Sequence, residues 1–332
     1  MRDRKFRALV VEEGSGGVFT RAVKERSIED LPAGEVLVQV AYSSLNYKDA
    51  LSASGNKGVT RVYPHTPGID AAGVVVESAV ADVREGESVI VTSYDLGMNT
   101  PGGFGQYIRV PAGWVVPLPD GLSLKESMIF GTAGFTAGLS VSRLTAVVPP
   151  ERGPVLVTGA TGGVGSLAVG ILGRLGYSVV AVSGKADAEP FLKGLGAREV
   201  IGRDQLVDQR DRPLLKTRWA GAIDTVGGEM LAAAIKSTEP RGLLTCCGNV
   251  ASAELRLTVY PFILRGITLA GIDSQNCPMV QRRKIWSLLA SDWKVAGLEE
   301  ICRVVCLDDL SECIDAILDG RLKGRTVVDV NC

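Results

Sequence analysis

A strand that runs through a glycine-rich turn into a helix, at residues 155–168, constrains the fold of this 332-residue chain more than any other feature. The segment reads Val-Leu-Val-Thr-Gly-Ala-Thr-Gly-Gly-Val-Gly-Ser-Leu-Ala. Its apolar start predicts a buried strand over 154–158, and a helix follows over 163–176. In this context a glycine fingerprint binds the pyrophosphate of a dinucleotide at the helix N-terminus. A glycine-rich structural turn is the alternative interpretation.

Aligned on the pattern G-x-G-x-x-G, the three fingerprint positions are Ala160, Gly162 and Gly165. Glycine at the second position lets the main chain approach the pyrophosphate, and glycine at the third lets the helix pack closely on the strand. We therefore expect the cofactor phosphates to be held by this loop, at Thr161, Gly162, Gly163, Val164 and Gly165.

Strand and helix patterns alternate after the glycine loop. The predicted strands are 178–182, 198–201, 222–224, 243–247 and 267–270, and the predicted helices between them include 187–195 and 228–237. Alternating units of this spacing predict an α/β fold whose sheet is a doubly wound, parallel Rossmann sheet with helices on both faces.

The chain before the glycine loop has a different pattern. Short β-like runs between residues 6 and 115 predict an antiparallel, barrel-like domain, with one short helix from Asn46 to Gly55. Helical sequence over 122–144, interrupted at Gly131 and Gly134, leads into the Rossmann part. A helix is predicted near 279–293, and the last strand, 325–329, is expected to return to the first domain. The predicted domains are therefore 1–125 with 300–332, and 126–299.

Composition excludes several classes of function. The 36 Lys+Arg and 37 Asp+Glu give a formal net charge of −1, whereas nucleic-acid binders and electrostatic membrane binders carry basic blocks. A single histidine, His65, excludes any site that needs two imidazoles. The N-terminus lacks a signal-peptide core, and Arg174 interrupts the longest apolar run, so we expect a cytoplasmic protein with no membrane partner.

The seven cysteines all lie in the last part of the chain. Their odd number and the absence of a C-x-x-C pair make a disulfide framework unexpected in a chain of this length. Cys302 and Cys306 have a spacing that a metal site could use, but a lone pair favours buried thiols over metal.

The end of the second Rossmann strand distinguishes the two nicotinamide cofactors. An NAD site usually has an acidic residue there, whereas this chain has Ser183, Gly184 and Lys185. A hydroxyl and a cation suit a 2′-phosphate, and Arg203 after the third strand adds a second cation. The sequence therefore predicts NADPH. The alternative is that Lys185 is an exposed surface lysine.

Six segments, distributed in order along the chain, resemble the medium-chain dehydrogenase/reductase superfamily. They are 44–51, 67–73, 131–137, 219–227, 261–265 and 271–274. The resemblance covers essentially the whole chain and is most specific for zinc-independent, quinone-oxidoreductase-like proteins of the acrylyl-CoA reductase type. It implies that the barrel-like domain is a GroES-like catalytic domain.

The zinc-dependent members of that superfamily show which residues a catalytic zinc would need in this chain. Their catalytic zinc needs a cysteine near the start of the first helix and a histidine–acid pair some twenty residues later. Here those places hold Asn46 with Asp49, and Ile69 with Asp70; no cysteines occur around 95–110, where four structural ones are expected. We therefore expect no metal, and we interpret His65 as a loop residue beside Pro64.

The resemblance implies hydride transfer from NADPH to the β-carbon of acrylyl-CoA, or another short 2-enoyl-CoA. It places Tyr47, Asn46 and Arg325 at the catalytic site; Tyr47 would bond the nicotinamide part or donate a proton, or else would pack between the domains. Further cofactor contacts are implied at Thr132, Asn249, Ile263, Ser274 and Arg325. Acyl-CoA phosphates would meet Lys48, Lys57 and Arg61, unless these are plain surface charges.

Two other functions remain open at this point. One is an NADPH-dependent quinone or enone reductase without CoA recognition, and the other is a non-catalytic NADPH-binding protein. The family also implies a homodimer, in which the exposed edge strand at 267–270 would pair with its copy.

Overall fold

The structure is a computed structural model that describes residues 4–207 and 212–332. The chain packs into two compact units. The first unit contains the chain up to Thr132 together with Gln275–Ala290 and Gly297–Cys332, and the second contains Ala133–Ser274 and Ser291–Ala296. The predicted domain boundaries stay a prediction; they differ from these units in placing residues 126–132, 275–290 and 297–299 with the Rossmann part.

The described elements are as follows. The strands are β1 Lys5–Glu13, β2 Phe19–Ser27, β3 Val36–Ser44, β4 Asp70–Ser78, β5 Ser88–Thr92, β6 Tyr107–Val110, β7 Val115–Pro117, β8 Val155–Val157, β9 Val179–Val182, β10 Ala197–Ile201, β11 Trp219–Asp224, β12 Thr238–Cys246, β13 Thr268–Gly271, β14 Cys302–Cys306 and β15 Arg325–Asp329. The helices are α1 Tyr47–Ala53, α2 Leu124–Thr145, α3 Gly163–Arg174, α4 Ala188–Gly194, α5 Gly228–Lys236, α6 Tyr260–Arg265, α7 Met279–Ala290 and α8 Leu310–Leu318.

The first unit is built on a sheet that, in the described residues, has the order β14-β15-β3-β4-β5-β7, with β6 also paired to β3. The pairings of β3 with β4, β4 with β5 and β5 with β7 are antiparallel. The core beneath this sheet is rich in valine, for example Val38, Val40, Val75 and Val91. The last strand, β15, pairs with β3 of this unit, and the sequence predicted that it would return to the first domain.

The second unit contains a parallel sheet with the strand order β10-β9-β8-β11-β12-β13 among the described residues. Its strands β8 and β9 are continuous apolar runs, Val155–Val157 and Val179–Val182, and they are buried as expected for a parallel sheet covered by helices. This order, numbered from β8, is 3-2-1-4-5-6, the order of a Rossmann sheet. The predicted fold class is confirmed.

Two expectations about local structure were wrong. Helix α2 is interrupted at Gly131, which has φ 51°, but it continues through Gly134 to Thr145. Cys306 forms a disulfide with Cys332 and is not a free thiol. The reason is the parallel pairing of β14 with β15, which puts Cys306 opposite Asp329, close to the end of the chain.

Some elements carried too little apolar pattern to be predicted. Strand β2 reads Phe-Thr-Arg-Ala-Val-Lys-Glu-Arg-Ser, and none of its residues is fully buried. It forms because it pairs along its whole length with β1. None of the helices in the described parts of the chain has the length and apolar character needed to cross a bilayer.

Candidate active site

Strand pairing in the first unit brings distant polar residues to one edge of its sheet. Strand β3 ends at Ser44, and its antiparallel neighbour β4 begins at Asp70. Strand β15 begins at Arg325, and Val327, two residues later, lies opposite Ser44. Residues separated by almost 300 positions in the sequence therefore share one buried location.

The carboxylate of Asp70 is the centre of this polar cluster. It is fully buried and accepts hydrogen bonds from Ser44 Oγ at 2.6 Å and Asn46 Nδ2 at 2.7 Å. Thr132 donates its main-chain N–H, 2.9 Å from each carboxylate oxygen, and its hydroxyl, at 2.6 Å. Donors on both oxygens stabilise the charged form of a buried carboxylate.

The guanidinium of Arg325 lies inside the same cluster. Only 3% of this residue is exposed, and its Nη2 lies 2.9 Å from Ser44 Oγ and 4.0 Å from Asp70 Oδ2. Its Nε donates to the carbonyl of Ile129 at 2.8 Å, and Nη1 lies 3.3 Å from Asn46 Oδ1.

The polar atoms of Arg325 and Asn46 have partners inside the first unit. Both side chains bond buried groups around Asp70, so they help to hold its carboxylate in place. The contact with cofactor or substrate that the family resemblance implies for these two residues stays a prediction.

Glycine is required at position 131 because the cluster leaves no room for a side chain. A Cβ there would lie 2.4 Å from Asp70 Oδ2 and 2.5 Å from Ser44 Oγ. The positive φ of 51° is also a conformation that other residues rarely adopt. This break in α2 is what turns the N–H of Thr132 toward Asp70.

Asp49 is a second buried carboxylate next to the cluster. Its two oxygens accept the main-chain N–H groups of Ile69 at 2.7 Å and Asn46 at 2.8 Å. Burial, followed by the negative charge of Asp70, raises the pKa of Asp49 from 3.8 to about 7, although these hydrogen bonds oppose the rise. Asp49 is the group in this cluster that titrates near neutral pH.

A pH dependence of stability follows from Asp49. Because its pKa is higher in the folded chain, the folded state binds more protons between about pH 4 and 7, so stability falls as the pH rises through that window. We expect Asp49→Asn to flatten this slope, by up to about 1.4 kcal/mol per pH unit, in urea unfolding measured from pH 4 to 8. Asp319→Asn, at an exposed position, should leave the slope unchanged; an equal slope in wild type and Asp49→Asn would refute the assignment.

Tyr47 begins helix α1, directly after Asn46. Its side chain is half-buried, and its hydroxyl makes no hydrogen bond to the part of the chain that the structure describes. It therefore differs from Asn46 and Arg325, whose polar atoms are occupied. The role of Tyr47 at the cofactor or substrate stays a prediction.

The glycine loop of the second unit has the form that a dinucleotide requires. Gly162 is the N-cap of α3 and offers no side-chain cap, so the first N–H groups of the helix can bind an anion. A Cβ on Gly165 would lie 2.3 Å from the carbonyl oxygen of Gly159 and 2.8 Å from the Cα of Ala160. Helix α3 thus packs directly against main-chain atoms of the loop at Gly165. These residues fit a pyrophosphate.

One buried carboxylate beside the glycine loop was not predicted as a site residue. Asp224, at the end of β11, is fully buried and accepts hydrogen bonds from Thr158 Oγ1 at 2.7 Å and from the N–H of Gly227 at 2.8 Å. It ties the end of β8, just before the glycine loop, to the end of β11. The sequence feature that could have identified Asp224 is an acidic residue at the end of an otherwise apolar strand.

The residues predicted to distinguish NADPH from NADH lie together. A Cβ on Gly184 would be 2.7 Å from Arg203 Nε, so the guanidinium lies directly against this glycine. Ser183 Oγ accepts the N–H of Lys185 at 3.1 Å, which folds the turn after β9. The Arg203 guanidinium and the turn of Ser183, Gly184 and Lys185 therefore lie side by side after β9 and β10, and positions 183–185 contain no carboxylate.

The remaining predicted cofactor contacts are dispersed within the second unit. Asn249 is exposed in the loop after β12, and its neighbour Gly248 packs on the main chain of Thr225 after β11. Ile263 projects from α6 and is 66% exposed, and Ser274 is half-buried after β13. The packing of Gly248 thus brings the loop of Asn249 close to the end of β11.

The basic residues considered for CoA have different surroundings. Lys48 Nζ donates to Gln275 Oε1 at 2.8 Å. Lys57 Nζ pairs with Glu13 at 2.6 Å and lies 4.7 Å from the ring centre of Tyr63, whereas the side chain of Arg61 is exposed. Lys57 and Arg61 are thus exposed, whereas Lys48 is half-buried.

Comparison with known proteins identifies the family. The model of the alcohol dehydrogenase GroES-like domain matches residues 32–120, and that of the zinc-binding dehydrogenases matches 163–291. The chain is 47% identical over 325 residues to a protein of Bacillus subtilis named as quinone oxidoreductase YhfP, covering 97% of this chain and 98% of that one. This chain belongs to the medium-chain dehydrogenase/reductase superfamily.

Two further relatives place this medium-chain dehydrogenase/reductase in the quinone-oxidoreductase-like branch. Acrylyl-CoA reductase AcuI of Ruegeria pomeroyi is 44% identical over 328 residues, with 98% of this chain and 99% of AcuI covered. The crystal structure of the YhdH oxidoreductase of Salmonella enterica in complex with NADP has a TM-score of 0.95 at 41% identity, covering 98% of this chain and 100% of that one. A crystal structure of YhfP with NAD bound has the same TM-score at 46% identity, again covering 98% and 100%.

The positions that hold catalytic zinc in other medium-chain dehydrogenases are used differently here. Asn46 bonds the carboxylates of both Asp49 and Asp70, and its Oδ1 accepts a hydrogen bond from Arg325. Within residues 4–207 and 212–332, no three His, Cys, Asp or Glu side chains are grouped closely enough to hold a metal ion. His65 is buried, and its main chain pairs with Val11, so it is more than a loop residue.

Proposed function

We propose that this medium-chain dehydrogenase/reductase is an NADPH-dependent reductase that reduces the C=C bond of acrylyl-CoA, or of another short 2-enoyl-CoA, to the saturated thioester. The observation that carries the proposal is the 44% identity to acrylyl-CoA reductase AcuI over nearly the full length of both chains. When bound, NADPH would supply a hydride to the β-carbon of the substrate. The thioester carbonyl makes that carbon electrophilic without a metal.

The choice of NADPH is supported by the cations after β9 and β10. Lys185 and Arg203 suit a 2′-phosphate, and Gly184 gives Arg203 the room to lie across the turn. The structure of YhdH with NADP agrees, whereas that of YhfP with NAD leaves NADH as the competing cofactor. The loop of Thr161, Gly162, Gly163, Val164 and Gly165 would hold the pyrophosphate of either cofactor.

Charge reversal at Lys185 tests the cofactor preference. We expect Lys185→Asp to raise the KM for NADPH at least tenfold while changing the KM for NADH by less than about twofold, because the carboxylate repels only the 2′-phosphate. Steady-state kinetics with both cofactors measure the change. Lys216→Asp, at an exposed position of the same unit, is the matched control. Equal effects on both cofactors would exclude a role in recognising the 2′-phosphate.

Tyr47 is the residue we propose at the reacting centre. Its hydroxyl would orient the substrate or cofactor, or give a proton to the α-carbon after the hydride has been accepted. We expect Tyr47→Phe to lower kcat about tenfold or more with little change in folding stability, since this hydroxyl has no partner in the described chain. Tyr42→Phe, at another half-buried tyrosine, is the control. Wild-type kinetics in Tyr47→Phe would remove Tyr47 from the site.

Two alternatives are separated from the proposal by substrate. The identity to YhfP supports an NADPH-dependent quinone or enone reductase, for which a simple quinone would be the better substrate. A non-catalytic protein would bind NADPH without turnover on any activated alkene. Comparison of kcat/KM for acrylyl-CoA, crotonyl-CoA, longer enoyl-CoA esters and a quinone decides among the three. A higher kcat/KM on the quinone would overturn the proposal.

We also propose that the chain forms a homodimer through β13. This strand lies at the edge of the Rossmann sheet among the described residues, and an unpaired edge invites pairing with a second copy. Exposed apolar residues of the neighbouring α6 region, Val259, Ile263 and Leu264, would be covered by the same contact. Sedimentation at the mass of a 35.0 kDa monomer would contradict it.

A further inference from the structure

Two consecutive residues after β5 adopt a backbone conformation that residues other than glycine rarely use. Ser93 has φ 65° and Tyr94 has φ 50°. Such conformations are costly and persist only where the surrounding structure determines them, often next to functional groups. The surroundings of this pair are therefore informative.

Arg282 of helix α7 is the residue that holds the pair. It is fully buried, and its Nη1 donates to the carbonyl of Thr92 at 3.1 Å and to the Thr92 hydroxyl at 3.0 Å. Its guanidinium lies 4.3 Å from the ring centre of Tyr94, and the other stacking partner of that ring is Trp114, with centroids 5.4 Å apart. Burial lowers the pKa of Arg282, as expected for a cation kept from water.

Main-chain contacts complete the restraint. The N–H of Ser93 donates to the carbonyl of Ile69 at 2.8 Å, and the N–H of Tyr94 donates to the carbonyl of Gln275 at 3.2 Å. Arg282 Nη2 lies 3.3 Å from the same Gln275 oxygen. Arg282 therefore touches the residue before the strained pair, the second member of the pair, and the carbonyl that the pair binds.

The strained conformation delivers one hydroxyl to the Asp70 cluster. Ser93 Oγ lies 3.0 Å from Thr132 Oγ1, and Thr132 Oγ1 lies 2.6 Å from Asp70 Oδ1. Asp70 accepts hydrogen bonds from the N–H groups of Thr132 and Asn46, and it also accepts the hydrogen bond that the Thr132 hydroxyl donates. The hydrogen bond between the two hydroxyls is then directed from Ser93 to Thr132.

We propose that Arg282 is a positioning residue for the site: by holding Thr92 and Tyr94 it keeps the Ser93 hydroxyl on Thr132, and thereby fixes the orientation of Thr132 beside Asp70. The inference rests on the proposed function and on the cofactor contact that the family resemblance implies for Thr132. It gives Arg282 a role that acts through Ser93 and Thr132, without contact to substrate or cofactor.

A double-mutant cycle tests whether Arg282 acts through Ser93. Arg282→Lys keeps the charge but loses the planar group that stacks on Tyr94 and bonds Thr92. We expect Arg282→Lys and Ser93→Ala each to lower kcat about tenfold with KM for NADPH nearly unchanged, and the double variant to lose no more than either. The proposal would be overturned if kcat fell about a hundredfold in the double variant, which is the product of the two single effects. Wild-type kcat in Arg282→Lys would also overturn it.

The control and a second variant separate positioning from stability. Arg265→Lys is the matched control, because Arg265 also donates to main-chain carbonyls and its pKa is also lowered by burial. It should lower stability and leave kcat unchanged; a tenfold loss of kcat there would show that lost stability alone explains Arg282→Lys and would overturn the proposal. If Arg282→Lys does not fold, Tyr94→Leu replaces it in the cycle, with the same expected coupling to Ser93→Ala and the same contradicting result.

A crystal structure of Arg282→Lys, or of Tyr94→Leu, distinguishes failure of this inference from failure of the proposed function. We expect Ser93 to leave the left-handed region and its Oγ to move beyond 3.5 Å from Thr132 Oγ1. An unchanged Ser93 would overturn the inference even in an active enzyme. Wild-type protein that reduces no enoyl-CoA would overturn the proposed function, and this structural result would still decide whether Arg282 positions Ser93.

Discussion

Arg325→Leu will lower the free energy of unfolding by about 3–5 kcal/mol, because it leaves buried carboxylates without their cation. The side chain of Arg325 is 3% exposed, and it also supplies hydrogen bonds to Ser44 Oγ and to the carbonyl of Ile129. Leucine fills part of the volume but satisfies none of these acceptors. Urea unfolding at pH 7, without cofactor, measures the loss.

Two comparisons make this result specific to the buried cluster. Arg321→Leu removes an arginine of the same unit that pairs with Asp319 at an exposed position, and should cost less than about 1 kcal/mol. Adding Asp70→Asn to Arg325→Leu removes one stranded charge and should recover part of the stability. If Arg325→Leu lowers the free energy of unfolding no more than Arg321→Leu does, the stability of the cluster does not depend on the charge of Arg325.

Gly165→Ala will weaken NADPH binding at least tenfold and lower stability by about 1–3 kcal/mol. The added Cβ would lie 2.3 Å from the carbonyl oxygen of Gly159 and 2.8 Å from the Cα of Ala160, so helix α3 must move away from the loop. That movement displaces the N–H groups that would bind the pyrophosphate. Quenching of NADPH fluorescence gives the affinity, and thermal unfolding gives the stability.

Gly194→Ala is the matched control for this change. Gly194 is in helix α4 of the same unit, and a Cβ there would meet nothing within 4 Å. Alanine favours a helix over glycine, so stability should stay equal or rise slightly, and NADPH affinity should not change. Wild-type affinity in Gly165→Ala would contradict the assignment of the glycine loop as the phosphate site.

The sequence predicted those parts of the fold that have a local pattern. The strand before Gly159 is an uninterrupted apolar run, and the glycines that follow it have few other uses before a helix. Strand β2 was missed because it is polar and forms only on β1. The disulfide of Cys306 was missed because it depends on the parallel register of β14 and β15, which no local pattern reveals.

The candidate site also has one part that local sequence predicts and one part that depends on distant strand pairing. The turn at Ser183–Lys185 was predictable because its residues are neighbours, and Arg203 follows the next strand. The Asp70 cluster joins residues from β3, β4 and β15, and its hydrogen bonds follow from pairings between distant strands. Family resemblance pointed to Asn46 and Arg325, but only the structure shows that their polar atoms are occupied by Asp70 and its neighbours.

The central claim is that this chain transfers a hydride from NADPH to the β-carbon of a 2-enoyl-CoA. The direct measurement uses NADPH deuterated at C4 of the nicotinamide on the transferred face, with acrylyl-CoA as substrate, and locates the label in the product by mass spectrometry and NMR. We predict propionyl-CoA with one deuterium at the β-carbon and a solvent-derived proton at the α-carbon. Product without deuterium at the β-carbon, or no propionyl-CoA while a quinone is reduced, would contradict the claim.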